Sequence, residues 1–311
     1  MRYYATYQHY RKAWQDAKYR TPTIPLNLDI ELSTVCNLQC PFCFTQDKAF
    51  KLLKLKPYME KDLALYIIEQ AHFIGIPALK FNWRGEATLH PDFTEIMKFA
   101  KKKDFYDIII NTNGNVPDSA LEGLKLATKI IVSLDTFGKD QYAKLRKKGD
   151  LRTVINTINY LIDSGHNNIS VRRVLTKENN NEDFHHIAKT VFGDKVKTSE
   201  HHCFDRNTLE SYSITKLDKK RTYCGYPSQR LVIGTNGDVF PCCVDYFETM
   251  KLANIEKDDL QTIWEDIILY NLRKNLKQNI FFKNTQCLDC TSFMAYNVPE
   301  RELIEPERIE I

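Results

Sequence analysis

The chain has 311 residues, 43% of them hydrophobic, which is typical of a globular protein with one large and one small domain. Its 44 basic and 40 acidic residues leave a net charge of +4, too small to indicate a nucleic-acid partner. No apolar run approaches the roughly 18 residues of a membrane span, and the N-terminus lacks the apolar core of a signal peptide, so we expect a cytoplasmic protein. The basic runs at 101–103 and 146–148 are predicted to be solvated helix ends.

Residues 1–22 are predicted to form an N-terminal helical extension. Tyr3, Tyr7, Tyr10 and Trp14 recur at helical spacing, which predicts an amphipathic helix over residues 2–19. Its aromatic stripe is expected to pack on the main domain, with binding of a partner as the alternative.

Residues 23–205 alternate short aliphatic or β-branched runs with helical patterns. Strands are predicted at 26–32, 78–83, 106–112, 129–135, 168–175 and 195–200, and helices near 60–74, 92–103, 118–127, 151–164 and 181–192. This order predicts an α/β fold with a parallel sheet built from βα units. In such folds, loops at the carboxyl ends of the strands carry the functional site.

The C-terminal part of the chain follows a different pattern. Residues 206–222 lose periodicity and are predicted to be a connection. Within residues 223–295, "QRLVIGTNGDVFPCC" predicts a β-hairpin that turns at Asn-Gly, and "DDLQTIWEDIILYNLRKNLK" predicts one amphipathic helix. Residues 296–311 contain two prolines and many charges, which predicts an extended or disordered tail.

Three cysteines, Cys36, Cys40 and Cys43, follow the first predicted strand in "VCNLQCPFCF". No nearby cysteine or histidine completes the four ligands of a structural zinc site. An odd count of nine cysteines in a chain of this length also disfavours a disulfide framework. Three thiolates can instead hold three irons of a four-iron cluster and leave one iron open for chemistry.

This C-x3-C-x2-C motif, with Phe42 before the last cysteine and an apolar strand ahead of it, resembles the radical S-adenosylmethionine (SAM) superfamily. The resemblance implies an open, partial (β/α)6 barrel and SAM bound through its amino and carboxylate groups to the open iron of a [4Fe–4S] cluster. It also implies that SAM is cleaved to methionine and a 5′-deoxyadenosyl radical, with an electron donor of the flavodoxin or ferredoxin type.

The spacing of the later cysteines resembles the "twitch" form of the SPASM subdomain, which adds a second [4Fe–4S] cluster, and is most similar to that of the aminocyclitol dehydrogenase of butirosin biosynthesis. The implied ligands are Cys224, Cys242, Cys287 and Cys290. Neighbours on a strand point to opposite faces, so only one of Cys242 and Cys243 should face the cluster, and the resemblance favours Cys242. A zinc ribbon made by the same four cysteines is the alternative. The lone Cys203 is predicted to be structural.

Further residues match SAM-binding positions of the superfamily. In "WRGEATLHP", Gly85, Glu86 and Ala87 align with the G-G-E-P motif that receives the SAM amino group, although Arg84 and Ala87 depart from it. The glycine permits close approach of the backbone, and the glutamate offers an acceptor to an ammonium group.

Polar residues at the ends of three strands complete the predicted SAM site. Ser133 and Asp135 resemble ribose-contacting positions, and the third strand ends at Asn111 and Asn113. One of Arg172 and Arg173 is expected to bind the SAM carboxylate, because a guanidinium suits bidentate carboxylate recognition. The sequence does not decide between the two arginines.

Together the resemblances predict a radical SAM oxidoreductase that acts on a small hydroxylated molecule, such as a sugar, an aminocyclitol or a nucleotide-linked sugar. An auxiliary cluster with four cysteines has no open iron, so it is expected to accept an electron from the substrate. The alternatives are a peptide-modifying enzyme, a redox-neutral epimerase and a non-catalytic zinc-binding protein. The segment before the first strand is short for a peptide-recognition domain. His202, Asp205 and Arg173 are unranked candidates for other roles at the barrel mouth.

Overall fold

The computed structural model describes residues 3–17, 19–202, 224–278, 280–282, 287, 290 and 308–309. Cys203, Asp205, the predicted connection at 206–222 and most of the predicted tail lie outside these residues. Within them the chain forms one nine-stranded sheet, flanked by helices, and a short parallel pair, β10 (Phe281–Phe282) with β11 (Arg308–Ile309).

Six parallel strands, arranged in chain order, form most of the large sheet, and all six predicted strands are confirmed. They are β1 (Asn27–Ile30), β2 (Ala78–Lys80), β3 (Asp107–Thr112), β4 (Lys129–Ser133), β5 (Ile169–Leu175) and β6 (Val196–His202). The α/β fold with a mostly parallel sheet is therefore as predicted.

Helices lie between successive strands, and the five predicted ones are confirmed as α3 (Lys61–Ile74), α4 (Phe93–Lys101), α5 (Asp118–Leu124), α7 (Leu151–Asp163) and α8 (Phe184–Phe192). Two short helices, α2 (Lys48–Lys51) and α6 (Lys139–Leu145), were not foreseen. They span too few residues to give a clear helical period. No described helix is long and apolar enough to cross a bilayer.

Strand register explains why the sheet has one apolar and one polar face. Leu28 lies opposite Leu79, and Leu79 opposite Ile108; this row packs against helix residues such as Ile67 and Ile96 in the main core. Because side chains alternate along a strand, the intervening residues face away from these helices. There Asp29 lies opposite Lys80, so the inner face of the barrel is polar.

The predicted C-terminal hairpin is present and extends the barrel sheet. It consists of β7 (Arg230–Ile233) and β8 (Asp238–Phe240), joined by a turn in which Gly237 has a φ of 82°. A short strand, β9 (Ala253–Asn254), pairs with β8. The sequence did not predict that β7 pairs in parallel with β1, which joins the hairpin to the barrel through backbone hydrogen bonds.

The predicted C-terminal helix is two helices, so that prediction was wrong in detail. Helix α9 (Leu260–Glu265) ends before Asp266, and α10 (Ile267–Lys277) begins after it. Asp266 has an extended ψ of 142°, and its carboxylate accepts a hydrogen bond from the Ile268 amide at 2.7 Å. An N-cap in the middle of the apolar pattern therefore divides the helix.

The N-terminal helix α1 (Tyr7–Asp16) is shorter than the predicted range of 2–19. It begins after Thr6, whose hydroxyl accepts a hydrogen bond from the His9 amide at 3.1 Å. Tyr10 is buried and stacks on Tyr106, with ring centroids 6.2 Å apart. Since Tyr106 immediately precedes β3, α1 packs at the amino ends of the strands, opposite the end that carries the cysteine triplet.

Candidate metal centre and cofactor-binding site

The cysteine triplet lies in the loop after β1, at the carboxyl end of the sheet. Cys40 is buried, Cys43 is half-buried and Cys36 is exposed at the surface of the loop. Although the residue is exposed, partial desolvation of the Cys36 thiol by the surrounding loops raises its pKa to about 11, and burial also raises the pKa of Cys40. Ionisation of these thiols is unfavourable without a nearby positive charge, because burial disfavours the thiolate form. The positively charged iron ions of a cluster would supply that charge, so the three cysteines suit a cluster.

Each of the three sulfurs accepts a hydrogen bond from a different side chain. Asn113 Nδ2 lies 3.7 Å from Cys36 Sγ, Arg146 Nη1 lies 3.7 Å from Cys40 Sγ, and Thr45 Oγ1 lies 3.1 Å from Cys43 Sγ. Donors of this kind stabilise metal-bound thiolates and tune the reduction potential of a cluster. The loop therefore fits a cluster that needs three cysteines.

Arg146 was predicted to be a solvated helix end, and the structure contradicts this. Its side chain is buried, and its Nε donates to Asp135 Oδ2 at 2.6 Å while Nη1 reaches Cys40. The prediction used only the charge of the run at 146–148 and could not show that one member turns inward. Arg146 is a residue of the site that sequence analysis missed.

Asp135 was predicted to contact the SAM ribose, and in the structure its carboxylate has protein partners on both oxygens, so that contact stays a prediction. The residue is fully buried; one carboxylate oxygen binds Arg146, and the other accepts from the Val174 amide at 2.7 Å. Strand β4 ends at Ser133, and Asp135 adopts a φ of 68°, so the alternation of strand residues no longer applies to it. Ser133 remains at the half-buried end of the strand.

The two neighbouring arginines of β5 have different surroundings. Arg173 donates through Nε to Glu200 at 2.6 Å, and its Nη1 binds the Asn179 and Glu182 carbonyl oxygens at 3.0 and 2.9 Å. It is therefore committed to the fold. Arg172 lies in register with Ser133 on the inner face, and its Nε donates to the Ser199 hydroxyl at 3.3 Å.

Burial lowers the pKa of Arg172, and no carboxylate within the described ranges forms an ion pair with it. A partly buried guanidinium without a carboxylate partner can bind an anion. The two arginines thus differ in that Arg173 pairs with Glu200, whereas among the described residues Arg172 binds only the Ser199 hydroxyl.

The loop after β2 lies directly against the cysteine loop. A Cβ atom on Gly85 would lie 2.6 Å from the Val35 carbonyl oxygen, so only glycine permits this approach. The Glu86 amide donates to the same carbonyl at 2.8 Å. The next residue, Ala87, is buried and begins a short 3-10 turn.

The Glu86 carboxylate has protein partners in place of the predicted ammonium group. It is buried; Oε1 accepts from the Thr88 hydroxyl at 2.8 Å, and Oε2 accepts from the Asn113 amide at 2.7 Å. Burial raises the pKa of this carboxyl. The Glu86 side chain thus ties the loop after β2 to the loop after β3, and its predicted contact with the SAM ammonium group stays a prediction. Asn113 extends this tie by donating to Asn37 Oδ1 at 2.7 Å.

The Phe42 ring packs in a small apolar cluster with Leu38, Cys40 and Leu145, and the Arg146 guanidinium lies 5.6 Å from its centroid. Phe42 therefore stabilises the cysteine loop. Its predicted contact with the cofactor stays a prediction.

The C-terminal cysteines form a second group of buried or half-buried thiols. Burial raises the pKa of Cys224 to about 12, and the charge of Cys290 would act on it. Cys287 Sγ lies 3.7 Å from Met250 Sδ. These residues come from separate segments of the chain, so the fold brings them together.

Strand alternation does not apply to Cys242 and Cys243, because β8 ends at Phe240. The interaction between the two neighbouring thiols raises the pKa of Cys242 and lowers that of Cys243. Arg230 Nη1 lies 3.9 Å from Cys243 Sγ and lowers its pKa further. The argument from strand alternation was therefore wrong, although Cys242 remains the ligand that the resemblance implies.

In the part of the chain that the structure describes, no group of three or more Cys, His, Asp or Glu side chains converges closely enough to hold one metal ion. In a four-iron cluster each thiolate binds a different iron, so the sulfurs need not converge on one point.

Family models and curated proteins identify both halves of the chain. A radical SAM superfamily model matches residues 30–191, and a model of an iron–sulfur cluster-binding domain, SPASM, matches residues 224–291. A probable GTP 3′,8-cyclase of Methanocaldococcus jannaschii is 32% identical over 139 residues, which cover 44% of this chain and 45% of the cyclase. The subtilosin biosynthesis protein AlbA of Bacillus subtilis is 26% identical over 285 residues, 80% of this chain and 61% of AlbA. The chain thus spans about half the length of the curated relatives it matches.

Solved structures share the fold at low identity. The protein anSMEcpe with bound AdoMet superposes with a TM-score of 0.64 at 17% identity, covering 86% of this chain and 84% of that one. SuiB of Streptococcus suis bound to S-adenosylmethionine gives 0.59 at 20% identity, covering 91% and 73%. BtrN with AdoMet and 2-DOIA gives 0.54 at 19%, covering 82% and 88%. With [4Fe–4S] clusters and SAM as its cofactors, the chain belongs to the radical SAM superfamily and carries a C-terminal SPASM domain.

Proposed function

We propose that this radical SAM enzyme dehydrogenates a small hydroxylated molecule and uses a second cluster as electron acceptor. When bound, the first cluster and SAM supply a 5′-deoxyadenosyl radical, which removes a hydrogen atom from a substrate carbon. The substrate then loses one electron to the second site and its hydroxyl proton to a base, and becomes a carbonyl compound. The electron that starts the reaction comes from a donor of the flavodoxin or ferredoxin type.

The proposed roles of the residues follow from their positions. Cys36, Cys40 and Cys43 hold the first cluster and leave one iron to SAM. The backbone at Gly85 and the side chains of Ser133 and Arg172 bind SAM. The second cluster is held by Cys224, Cys242, Cys287 and Cys290.

Contact between the two cysteine loops carries the proposal of electron transfer. Phe44, which follows Cys43, stacks on Tyr246 with ring centroids 3.6 Å apart and planes at 7°. Trp83 Nε1 donates to the Cys243 carbonyl at 2.9 Å. Because segments next to both cysteine sets touch, an electron leaving a substrate at the barrel mouth has a short path to the second site.

The polar inner face of the barrel supports a hydroxylated substrate. Lys80 pairs with Ile109, and the Phe81 amide donates to the Ile109 carbonyl, so the parallel register continues past β2. Two residues further along each strand, Asn82 therefore lies beside Asn111. The side-chain oxygens of both asparagines are buried, and no described residue donates a hydrogen bond to them. Buried acceptors without donors are costly, and substrate hydroxyl or amino groups would satisfy them.

A peptide is the second candidate substrate. The similarity to AlbA, a bacteriocin biosynthesis protein, extends over 80% of this chain, and one SuiB structure contains a precursor peptide. Peptide N–H groups could also satisfy Asn82 and Asn111. In that case the same cysteines would serve a reaction on an amino-acid residue.

Transfer of deuterium to 5′-deoxyadenosine would separate the candidates. Reconstituted, reduced protein is incubated with SAM and either carbon-deuterated polyols and aminocyclitols or a deuterated peptide. We expect labelled 5′-deoxyadenosine and a carbonyl product only with a hydroxylated small molecule. Transfer of deuterium from the peptide to 5′-deoxyadenosine would contradict the proposal and support a peptide substrate. A product with an inverted stereocentre and no carbonyl group would indicate an epimerase. Cys40→Ala serves as the inactive control.

A further inference from the structure

Arg84 occupies the position of the first glycine in the superfamily's G-G-E-P motif, and it is buried in an ion pair. Its Nε donates to Glu31 Oε1 at 2.7 Å and its Nη2 to Glu31 Oε2 at 2.5 Å. Glu31 is fully buried one residue beyond β1. Such a bidentate pair fixes the direction of both side chains, because neither charge can be left alone in the interior.

The remaining nitrogen of Arg84 reaches the C-terminal cysteine segment. Nη1 donates to Glu248 Oε1 at 2.8 Å and lies 3.4 Å from the Tyr246 carbonyl oxygen. The neighbouring Trp83 binds the Cys243 carbonyl, and its ring lies 3.9 Å from the Arg84 guanidinium carbon. Two consecutive residues of the loop after β2, Trp83 and Arg84, thus contact the two ends of the segment 243–248.

The next two residues of the same loop hold the cysteine triplet. Gly85 and Glu86 contact the Val35 carbonyl, one residue before Cys36, and the Glu86 carboxylate holds the Asn113 amide. Residues 83–86 therefore touch the second cysteine site on one side and the first on the other. A shift of residues 243–248 must either break the Trp83 and Arg84 contacts or move Gly85.

We propose that Trp83 and Arg84 are positioning residues that couple the two metal sites. Loading the second site fixes residues 243–248; through Arg84 this holds Gly85 and Glu86 against the triplet loop and strengthens SAM binding. The inference rests on the cluster assignments of the proposed function, but not on its substrate. Such coupling is reciprocal, so SAM must strengthen the second site to the same extent.

The test is a cycle of SAM dissociation constants, measured by anaerobic titration without substrate. Trp83→Phe with Glu248→Gln removes the hydrogen bond to the Cys243 carbonyl and the charge that pairs with Arg84, and leaves the Arg84–Glu31 pair and the 3.4 Å contact of Arg84 with the Tyr246 carbonyl in place. Each protein is compared with its Cys287→Ala/Cys290→Ala form, which lacks the second cluster. Glu95→Gln, which removes a surface ion pair to Lys61 at 2.9 Å, is the matched control.

In the parent protein and in Glu95→Gln, we expect loss of the second cluster to weaken SAM binding by about fivefold or more, the lower range of site-to-site coupling. In Trp83→Phe/Glu248→Gln the two constants should agree within about twofold. The coupling would be overturned if the parent protein bound SAM equally well with and without the second cluster. It would also be overturned if loss of that cluster weakened SAM binding as much in the double variant as in the parent. Neither result would affect the proposed function. Iron that does not fall in Cys287→Ala/Cys290→Ala would reject the second cluster itself and the coupling with it.

Discussion

The two cysteine sites are built in different ways. The triplet lies within one loop, and its sulfurs receive hydrogen bonds from Thr45, Asn113 and Arg146. In the C-terminal site two thiols, those of Cys242 and Cys243, are close enough to shift each other's pKa. The first site is thus prepared by the barrel around it, whereas the second gathers distant cysteines that a metal must hold together.

This difference has a consequence for folding. The triplet loop is fixed by contacts that do not involve metal, such as the Glu86 amide on the Val35 carbonyl. The hairpin of the second unit is likewise fixed, by pairing of β7 with β1. Cys287 and Cys290 lie beyond α10, the last helix among the described residues, so binding of the second cluster is expected to contribute more to local order than binding of the first.

The largest effect is expected at the triplet. Replacing Cys36, Cys40 or Cys43 by Ala should abolish SAM cleavage, because two thiolates cannot keep a cluster with one open iron. The measurement is 5′-deoxyadenosine by mass spectrometry after chemical reduction. Cys203→Ala is the control, since that cysteine is predicted not to be a ligand. Parent levels of 5′-deoxyadenosine from a triplet variant would contradict the assignment.

A more selective loss is expected at the second site. Cys287→Ala with Cys290→Ala should lower iron from about eight to about four per chain, since one of two four-iron clusters is lost. With a strong reductant the variant should still make 5′-deoxyadenosine, but not oxidised product, because the substrate electron has no acceptor. The measured quantity is the ratio of product to 5′-deoxyadenosine. An unchanged ratio would favour a redox-neutral reaction, and loss of zinc instead of iron would indicate a zinc ribbon.

Sequence patterns predicted the six barrel strands, because five of them are aliphatic or β-branched runs between helical patterns; the sixth, Val196–His202, is mostly polar and gives the weakest signal. They did not predict contacts made across the chain. The pairing of β7 with β1 depends on exposed strand edges, and the inward turn of Arg146 depends on a buried carboxylate at Asp135. Nor did they predict the partners of Asp135, because strand alternation does not extend past Ser133, and the backbone turns to a positive φ at Asp135.

The same limit applies to the departure at Arg84. From the sequence it weakens a motif match, whereas in the structure it pairs with Glu31 and reaches Glu248. A motif records which residues usually contact the cofactor. It does not contain the long-range partners of a residue that replaces one of them.

The neighbouring arginines of β5 give a smaller and sharper test of the first site. Arg172→Gln removes the inner-face guanidinium and should weaken SAM binding about tenfold, because a hydrogen bond to a charged group is worth about 1.5–3 kcal/mol. Arg173→Lys disturbs the Glu200 contact on the other face and should lower the melting temperature without changing SAM affinity. Titration of SAM and thermal unfolding measure the two effects. The reverse pattern would assign the carboxylate contact to Arg173.

The smallest effect expected is on reduction potentials, and it compares the two sites directly. Arg146 spans Asp135 and Cys40 with two nitrogens of its planar guanidinium, whereas Arg230 reaches Asp29 at 3.2 Å and Cys243 at 3.9 Å through the single nitrogen Nη1. Lysine keeps the charge but cannot span two partners in this way. Arg146→Lys should therefore lose the hydrogen bond to Cys40 and retain the pair with the buried Asp135.

Hydrogen bonds to cluster sulfurs stabilise the reduced, more negative cluster, so their loss lowers the potential. Loss of about 1.4 kcal/mol corresponds to about 59 mV for one electron, and we expect a decrease on the order of tens of millivolts. The potentials are measured by redox titration followed by electron paramagnetic resonance. Arg146→Lys should lower the reduction potential of only one cluster, the one whose signal changes when SAM is added. Arg230→Lys should leave both potentials unchanged, because its sulfur partner, Cys243, is not among the proposed ligands. A shift in the potential of the second cluster in Arg230→Lys would instead identify Cys243 as the ligand in place of Cys242.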